Sequence, residues 1–194
     1  VLVFLIGLIG IALLIIYVPW RWERIISFVD PWSAPEKQGY QLTVSLMSIG
    51  RGDWFGVGLG QSLMKMGYLP EAHTDFIFSI LIEELGLLTG ILIVAMLFGI
   101  SFRIFFIGRQ SLQRKNHFGF FFCFGAAILI GLHVFINVGV AVGILPTKGL
   151  TLPLFSAGGT NLLIMFSIIG LILRIDYENK ISMPIASIKK RVNF

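Results

Sequence analysis

Glu71, His73 and Asp75 fall within five residues, in the segment Tyr68-Leu-Pro-Glu-Ala-His-Thr-Asp75. Such side chains exchange protons, so the segment could hold a general base that takes a proton from a hydroxyl. It also leads straight into a long apolar stretch, which allows a plainer role. Thr74 can cap a helix, and Asp75 can sit in its first turn, where the helix dipole favours a carboxylate. Glu83 and Glu84 follow. On one continuous helix Glu83 would lie roughly 12 Å along the axis from Asp75 and about 80° around it, with Glu84 on the opposite side. Acids inside a membrane are costly and need a partner. A structural pair with a basic residue on a span that precedes this chain is the expectation for them.

Lys148 stands in Leu145-Pro-Thr-Lys-Gly-Leu-Thr-Leu-Pro153, a link stiffened by proline. Two roles are open to it: an interfacial anchor whose stem lies on apolar surface, or a point charge for a phosphate. Gly56-Val-Gly-Leu-Gly60 follows no strand and lacks a Lys-Ser/Thr pair, so it reads as tight turning and not as a nucleotide loop. Gly86 and Gly90 have the spacing for close helix packing. His133 and Asn137 share a helix face and are expected to hydrogen-bond across helices. His73 alone is too little for a metal site, although nearby carboxylates could hold a divalent cation weakly; no cofactor is otherwise implied.

The elements that must position these residues are membrane helices. Hydrophobic residues make up 56% of the chain and charged residues 13%, and mean hydropathy is +0.90. Soluble domains carry about 25% charged residues. Four apolar runs approach the roughly 20 residues that cross a bilayer, at 1–18, 75–102, 118–145 and 159–175. They lack strand alternation, so the fold class is an all-α polytopic membrane protein with about four spans. The chain opens on Val1 inside an apolar run, with no basic n-region or cleavage site ahead of it, and is expected to be a fragment. Cys123 is the single cysteine and excludes a disulfide framework.

Arg103, Arg109, Arg114 and Lys115, with Arg174, Lys180, Lys189, Lys190 and Arg191, place the 103–117 link and the 176–194 tail in the cytoplasm. The 19–74 stretch, with its basic and acidic residues balanced, and the 146–158 link then lie outside. The net charge of +5 is therefore a topology signal, and nucleic acid is not expected as a partner. The 19–74 loop is too long for a passive connector. Tyr40–Ile49 within it reads as an interfacial or re-entrant helix, and Trp20, Trp22, Trp32 and Trp54 as headgroup-level anchors.

Several segments, taken in order, carry a family resemblance. They are Arg21-Trp-Glu-Arg-Ile-Ile-Ser-Phe28, Gly39-Tyr-Gln41, Trp54-Phe-Gly56, Gly58-Leu-Gly60 and Tyr68 to Phe78 continuing to Glu83-Glu-Leu-Gly86. The last is Asn137-Val-Gly-Val-Ala-Val-Gly-Ile-Leu-Pro-Thr-Lys-Gly-Leu-Thr-Leu-Pro-Leu-Phe-Ser-Ala-Gly-Gly159. Together they resemble the SEDS family (shape, elongation, division and sporulation) over essentially the whole chain. Thr147-Lys148 favours its division or sporulation branch. Ala157 stands where the family usually has Tyr, and Thr160-Asn161 where it has a Ser pair.

The resemblance implies a ten-span fold of which this chain is spans seven to ten. It implies peptidoglycan glycosyltransferase activity on lipid II in the bacterial inner membrane, at the division septum. It implies a class B penicillin-binding transpeptidase and other divisome proteins as partners. The family's essential loop Asp maps onto Asp75, expected as the catalytic base. Substrate contacts are expected from Lys148, Glu71, His73, Arg24, Arg51 and Ser156. Two other classes fit several spans with intramembrane acids: a lipid II flippase, and a scaffold that only recruits a transpeptidase.

Overall fold

The computed structural model describes residues 28–32, 39–70 and 73–181. The expected first span 1–18, the tail beyond 181, Arg24 and Glu71 lie outside the described residues. Among those described there are five α-helices and no strand: α1 Tyr40–Gly52, α2 Ile77–Leu85, α3 Leu87–Gln113, α4 His117–Ala141 and α5 Gly159–Ile181. A 3-10 turn, Met64–Met66, lies between α1 and α2. The chain divides into two units, one holding residues up to Ile91 with Ile136–Leu152, the other Leu92–Phe135 with residues from Pro153.

In the first unit α1 confirms the helix expected over Tyr40–Ile49. Its small residues Ser45, Ser48 and Gly52 make a seam that lets α2 approach closely. Ser45 Oγ lies 2.6 Å from Ser79 Oγ, and Ser48 Oγ donates to the Ser79 carbonyl at 3.2 Å. A Cβ on Gly52 would stand 2.1 Å from the Ile82 carbonyl oxygen. Beside this seam, Val44, Leu69, Phe76, Ile80 and Val140 form a buried apolar cluster.

The apolar run 75–102 is not one helix. Its break is Gly86, at φ 86° and ψ 165°, a conformation essentially confined to glycine. A Cβ there would meet the Trp54 carbonyl oxygen at 2.3 Å. The loop after α1 fills this corner and satisfies both helix ends. Val57 and Gly58 donate N–H groups to the Glu83 and Glu84 carbonyls at 2.9 and 3.0 Å. Leu87 and Leu88 donate to the Asp53 and Trp54 carbonyls at 2.9 and 3.4 Å. Gly56, Gly58 and Gly60 all have positive φ, as tight turning requires. Gly86 therefore serves a corner; of the two glycines only Gly90 faces side chains of α2, where an added Cβ would meet Ile82 and Phe78.

Two further expectations change with the break. Asp75 precedes α2, whose N-cap is Phe76 with no side-chain cap bond, so Thr74 and Asp75 do not form a cap and first turn. The helical offset between Asp75 and Glu83 accordingly does not apply. At the other end α3 continues through Arg103 and Arg109 to Gln113, which leaves Arg114, Lys115 and Asn116 as the turn into α4.

In the second unit α3, α4 and α5 surround a core of Ile104, Ile107, Cys123, Ala126, Ala127, Ile130, Met165, Ile172 and Ile175. Cys123 is fully buried, and a Cβ on Gly108 would stand 2.9 Å from its own Cβ, so it faces a helix. At 27, 25 and 23 residues and mean hydropathies of 2.4, 2.3 and 1.6, these helices are long and apolar enough to cross a membrane. Extension of α5 to Ile181 comes at its C-terminal end, where Arg174–Glu178 and Lys180–Asp176 pair one turn apart.

Candidate active site

Two short segments of the first unit meet at a small cavity. The first is the turn 73–76, which leads into α2. Phe76 at its end, like Leu69 upstream, is buried in the apolar cluster. Asp75, half-buried, sits beside the Phe76 anchor, whereas His73 is exposed. The second segment follows α4. Gly143, at φ 76°, reverses the chain, and the N–H groups of Ile144 and Leu145 both donate to the Gly139 carbonyl. Beyond Pro146 the chain closes a tight turn in which the Leu150 N–H donates to the Lys148 carbonyl at 2.8 Å.

The cavity measures about 200 Å³ and is lined by Gln41, Asp75, Phe76, Thr147, Lys148 and Gly149. Asp75 Oδ2 comes so near the Gly149 backbone that a Cβ there would stand 3.2 Å from it. Pockets that enclose whole small ligands run to roughly 300–1,000 Å³, so this one suits a single group of a larger substrate. A carboxylate that can accept a proton and an ammonium that can meet an anion thus share one polar hollow.

A second polar cluster lies at the other end of α2. Glu83 is fully buried, and its carboxylate accepts four hydrogen bonds. Arg51 Nη1 and the Leu63 N–H reach Oε1 at 3.0 and 3.2 Å, and Ser48 and Ser62 hydroxyls reach Oε2 at 2.9 and 2.5 Å. The basic partner expected on a preceding span is therefore Arg51, in this chain. Glu84 pairs with Lys65. Partial burial pushes the Glu84 carboxyl up, but bonds from Lys65 and from the Gly60 and Ser62 backbone, with the Lys65 charge, outweigh it and hold the group below its ordinary value of 4.5.

Of the candidate substrate contacts, Lys148 joins Asp75. Arg51 is engaged with Glu83 and does not line the cavity, nor does His73. Ser156 belongs to the second unit, where it is buried. Among the described residues no group of three or more His, Cys, Asp or Glu converges as a metal site would require. Gln41 and Thr147 were missed as site residues. A signal existed for Gln41, a lone amide at the start of an apolar helix.

The family described as cell cycle protein, comprising FtsW, RodA and SpoVE, matches residues 1–181. The chain belongs to that family. The SEDS resemblance is thereby borne out. Curated relatives in the FtsW/RodA/SpoVE family include the probable peptidoglycan glycosyltransferase FtsW of Wigglesworthia glossinidia brevipalpis, 52% identical over 96% of this chain and 49% of its own length. Those of Halorhodospira halophila and Neisseria gonorrhoeae are 53% and 50% identical over 86% and 90% of this chain, and 42% and 38% of their own lengths. The chain thus spans about half the length of the curated relatives it matches. A solved chain from a peptidoglycan synthase complex, described for its coordination of polymerization and crosslinking, superposes with a TM-score of 0.63 at 29% identity. That match covers 90% of this chain and 48% of the solved one. With three spanning-length helices, this FtsW/RodA/SpoVE member is a multi-pass membrane protein.

Proposed function

We propose that this protein is a peptidoglycan glycosyltransferase that polymerises lipid II during septal wall synthesis, with Asp75 as its general base. One observation carries the assignment: in a chain so similar to FtsW glycosyltransferases, the Asp75 carboxylate and Lys148 line the same cavity. Asp75 accepts the proton of the acceptor GlcNAc 4-hydroxyl. That oxygen attacks the anomeric carbon of the donor MurNAc, and undecaprenyl diphosphate leaves. Displacing an α-diphosphate to give a β-1,4 link inverts the centre, so one base suffices and no covalent intermediate forms. Lys148 offsets charge developing on the departing diphosphate. A class B transpeptidase bound alongside cross-links the product.

Full-length protein purified in detergent with lipid II tests the assignment. Glycan strands are the expected product; detergent leaves no two sides between which to flip a lipid, so a transporter or scaffold yields none.

The same proposal sets the orientation: the cavity faces outward, where lipid-linked sugars are presented, and the α3–α4 turn faces the cytoplasm. A cysteine replacing Trp32, which is 54% exposed, is expected to react with an impermeant thiol reagent on intact cells. One replacing Arg109 is expected to react only after permeabilisation. The reverse pattern overturns the orientation.

A further inference from the structure

Asn137 is an expensive residue where it stands. It lies on α4, one turn from the helix end, 1% exposed, and an apolar side chain would suit a membrane helix better. Its Nδ2 donates to the Asp75 carbonyl at 2.8 Å and to the Leu150 carbonyl at 2.6 Å. Two carbonyl acceptors fix which way the amide points, because the flipped amide would set Oδ1 against both. Oδ1 is buried and has no partner among the described residues. The bonds hold neither neighbouring helix. They hold the turn ending in Asp75 and the turn that closes from Lys148 to Leu150, which carry the two charged groups of the cavity.

From this bridge we infer that Asn137 is the positioning residue of the reaction: one amide sets the distance between base and ammonium without touching substrate. This rests on the proposed glycosyltransferase function. The bridge is made to backbone carbonyls, so it holds the spacing of the two turns without using the Asp75 carboxylate or the Lys148 ammonium. Asn137→Ala removes both donors and frees the two turns to drift apart. Asn137→Asp keeps the shape but, when ionised, offers only acceptors to two carbonyls. Asn137→Gln restores the donors one methylene further out.

In the full-length protein with lipid II, Asn137→Ala is expected to lower kcat by about 10²-fold, the cost of misplacing a catalytic group by about 1 Å, with KM changed less than threefold. Asn137→Asp should be as slow as Ala, and Gln should recover part of the loss. Hydrogen exchange supplies a second readout that needs no turnover: in Asn137→Ala, residues 73–76 and 147–150 should both exchange faster while mid-α4 stays protected. Should the Ala protein fail to accumulate, the Gln and Asp proteins carry the same comparison. A wild-type rate in Asn137→Ala, or Gln no better than Asp, overturns the inference, and so does unchanged exchange in both turns. A wild-type protein that makes no polymer overturns the glycosyltransferase function instead, and leaves the exchange result to decide whether Asn137 holds the two turns.

Discussion

Asp75→Asn in the full-length protein is expected to slow lipid II polymerisation by about 10²–10⁴-fold, the usual worth of a general base. Asn has nearly the size of Asp, and the neighbouring Leu69 and Phe76 side chains keep their places in the apolar cluster. Protein levels should therefore be unchanged. Lipid II binding should persist, because Asn still fills the cavity beside an intact Lys148. Glu at this position keeps the charge and shifts it by one methylene, on the side where a Cβ on Gly149 would already stand 3.2 Å from the Asp75 carboxylate. A displacement of about 1 Å costs about 10²-fold. The order expected in a polymerisation assay is wild type, then Asp75→Glu, then Asp75→Asn. Normal polymerisation by a well-expressed Asp75→Asn protein would show that the proton goes elsewhere.

Arg51→Ala is expected to destabilise the folded protein by about 3–5 kcal/mol, the cost of leaving a buried charge without its counter-charge. Glu83 is fully buried and keeps only the bonds from Ser48, Ser62 and Leu63 when the guanidinium is gone. Glu83→Gln with Arg51→Ala removes both charges together and should recover much of the loss. Thermal unfolding of the purified full-length protein in detergent measures both. Equal melting of wild type and Arg51→Ala would show that solvent reaches Glu83 despite its burial. Because Arg51 does not line the Asp75 cavity, enzyme that remains folded should keep its rate.

The three long helices were legible because hydrophobic run length is a local property, and α3 and α4 announce themselves by composition alone. The meeting of Asp75 and Lys148 at one cavity was half legible. Each residue was conspicuous, yet nothing in the intervening chain tells that Asn137 and Gly149 let the two turns meet. The corner at Gly86 was not legible. A glycine inside an apolar run is ordinary in membrane helices, and only the arrival of residues 53–58 makes this one turn the chain. The partner of Glu83 was sought on a preceding span for the same reason: read as one straight helix, 75–102 would carry Glu83 deep into hydrocarbon. Ending α2 at Leu85 brings it to Arg51 instead.

The filled corner also limits how the site can be switched. Glycines between helices often act as hinges, but the wedge of residues 53–58 occupies the space through which α2 would swing, and it is bonded to both sides of the joint. Bending there would break four backbone hydrogen bonds at once. α1, α2 and the wedge therefore behave as one bracket rather than a lever. On the proposed function, a signal that changes catalytic output without dismantling the bracket has to act on the turn 73–76 or on the Lys148 turn. Throttling the proposed activity then needs a touch at the rim of the cavity, not a rearrangement of the helices beneath it.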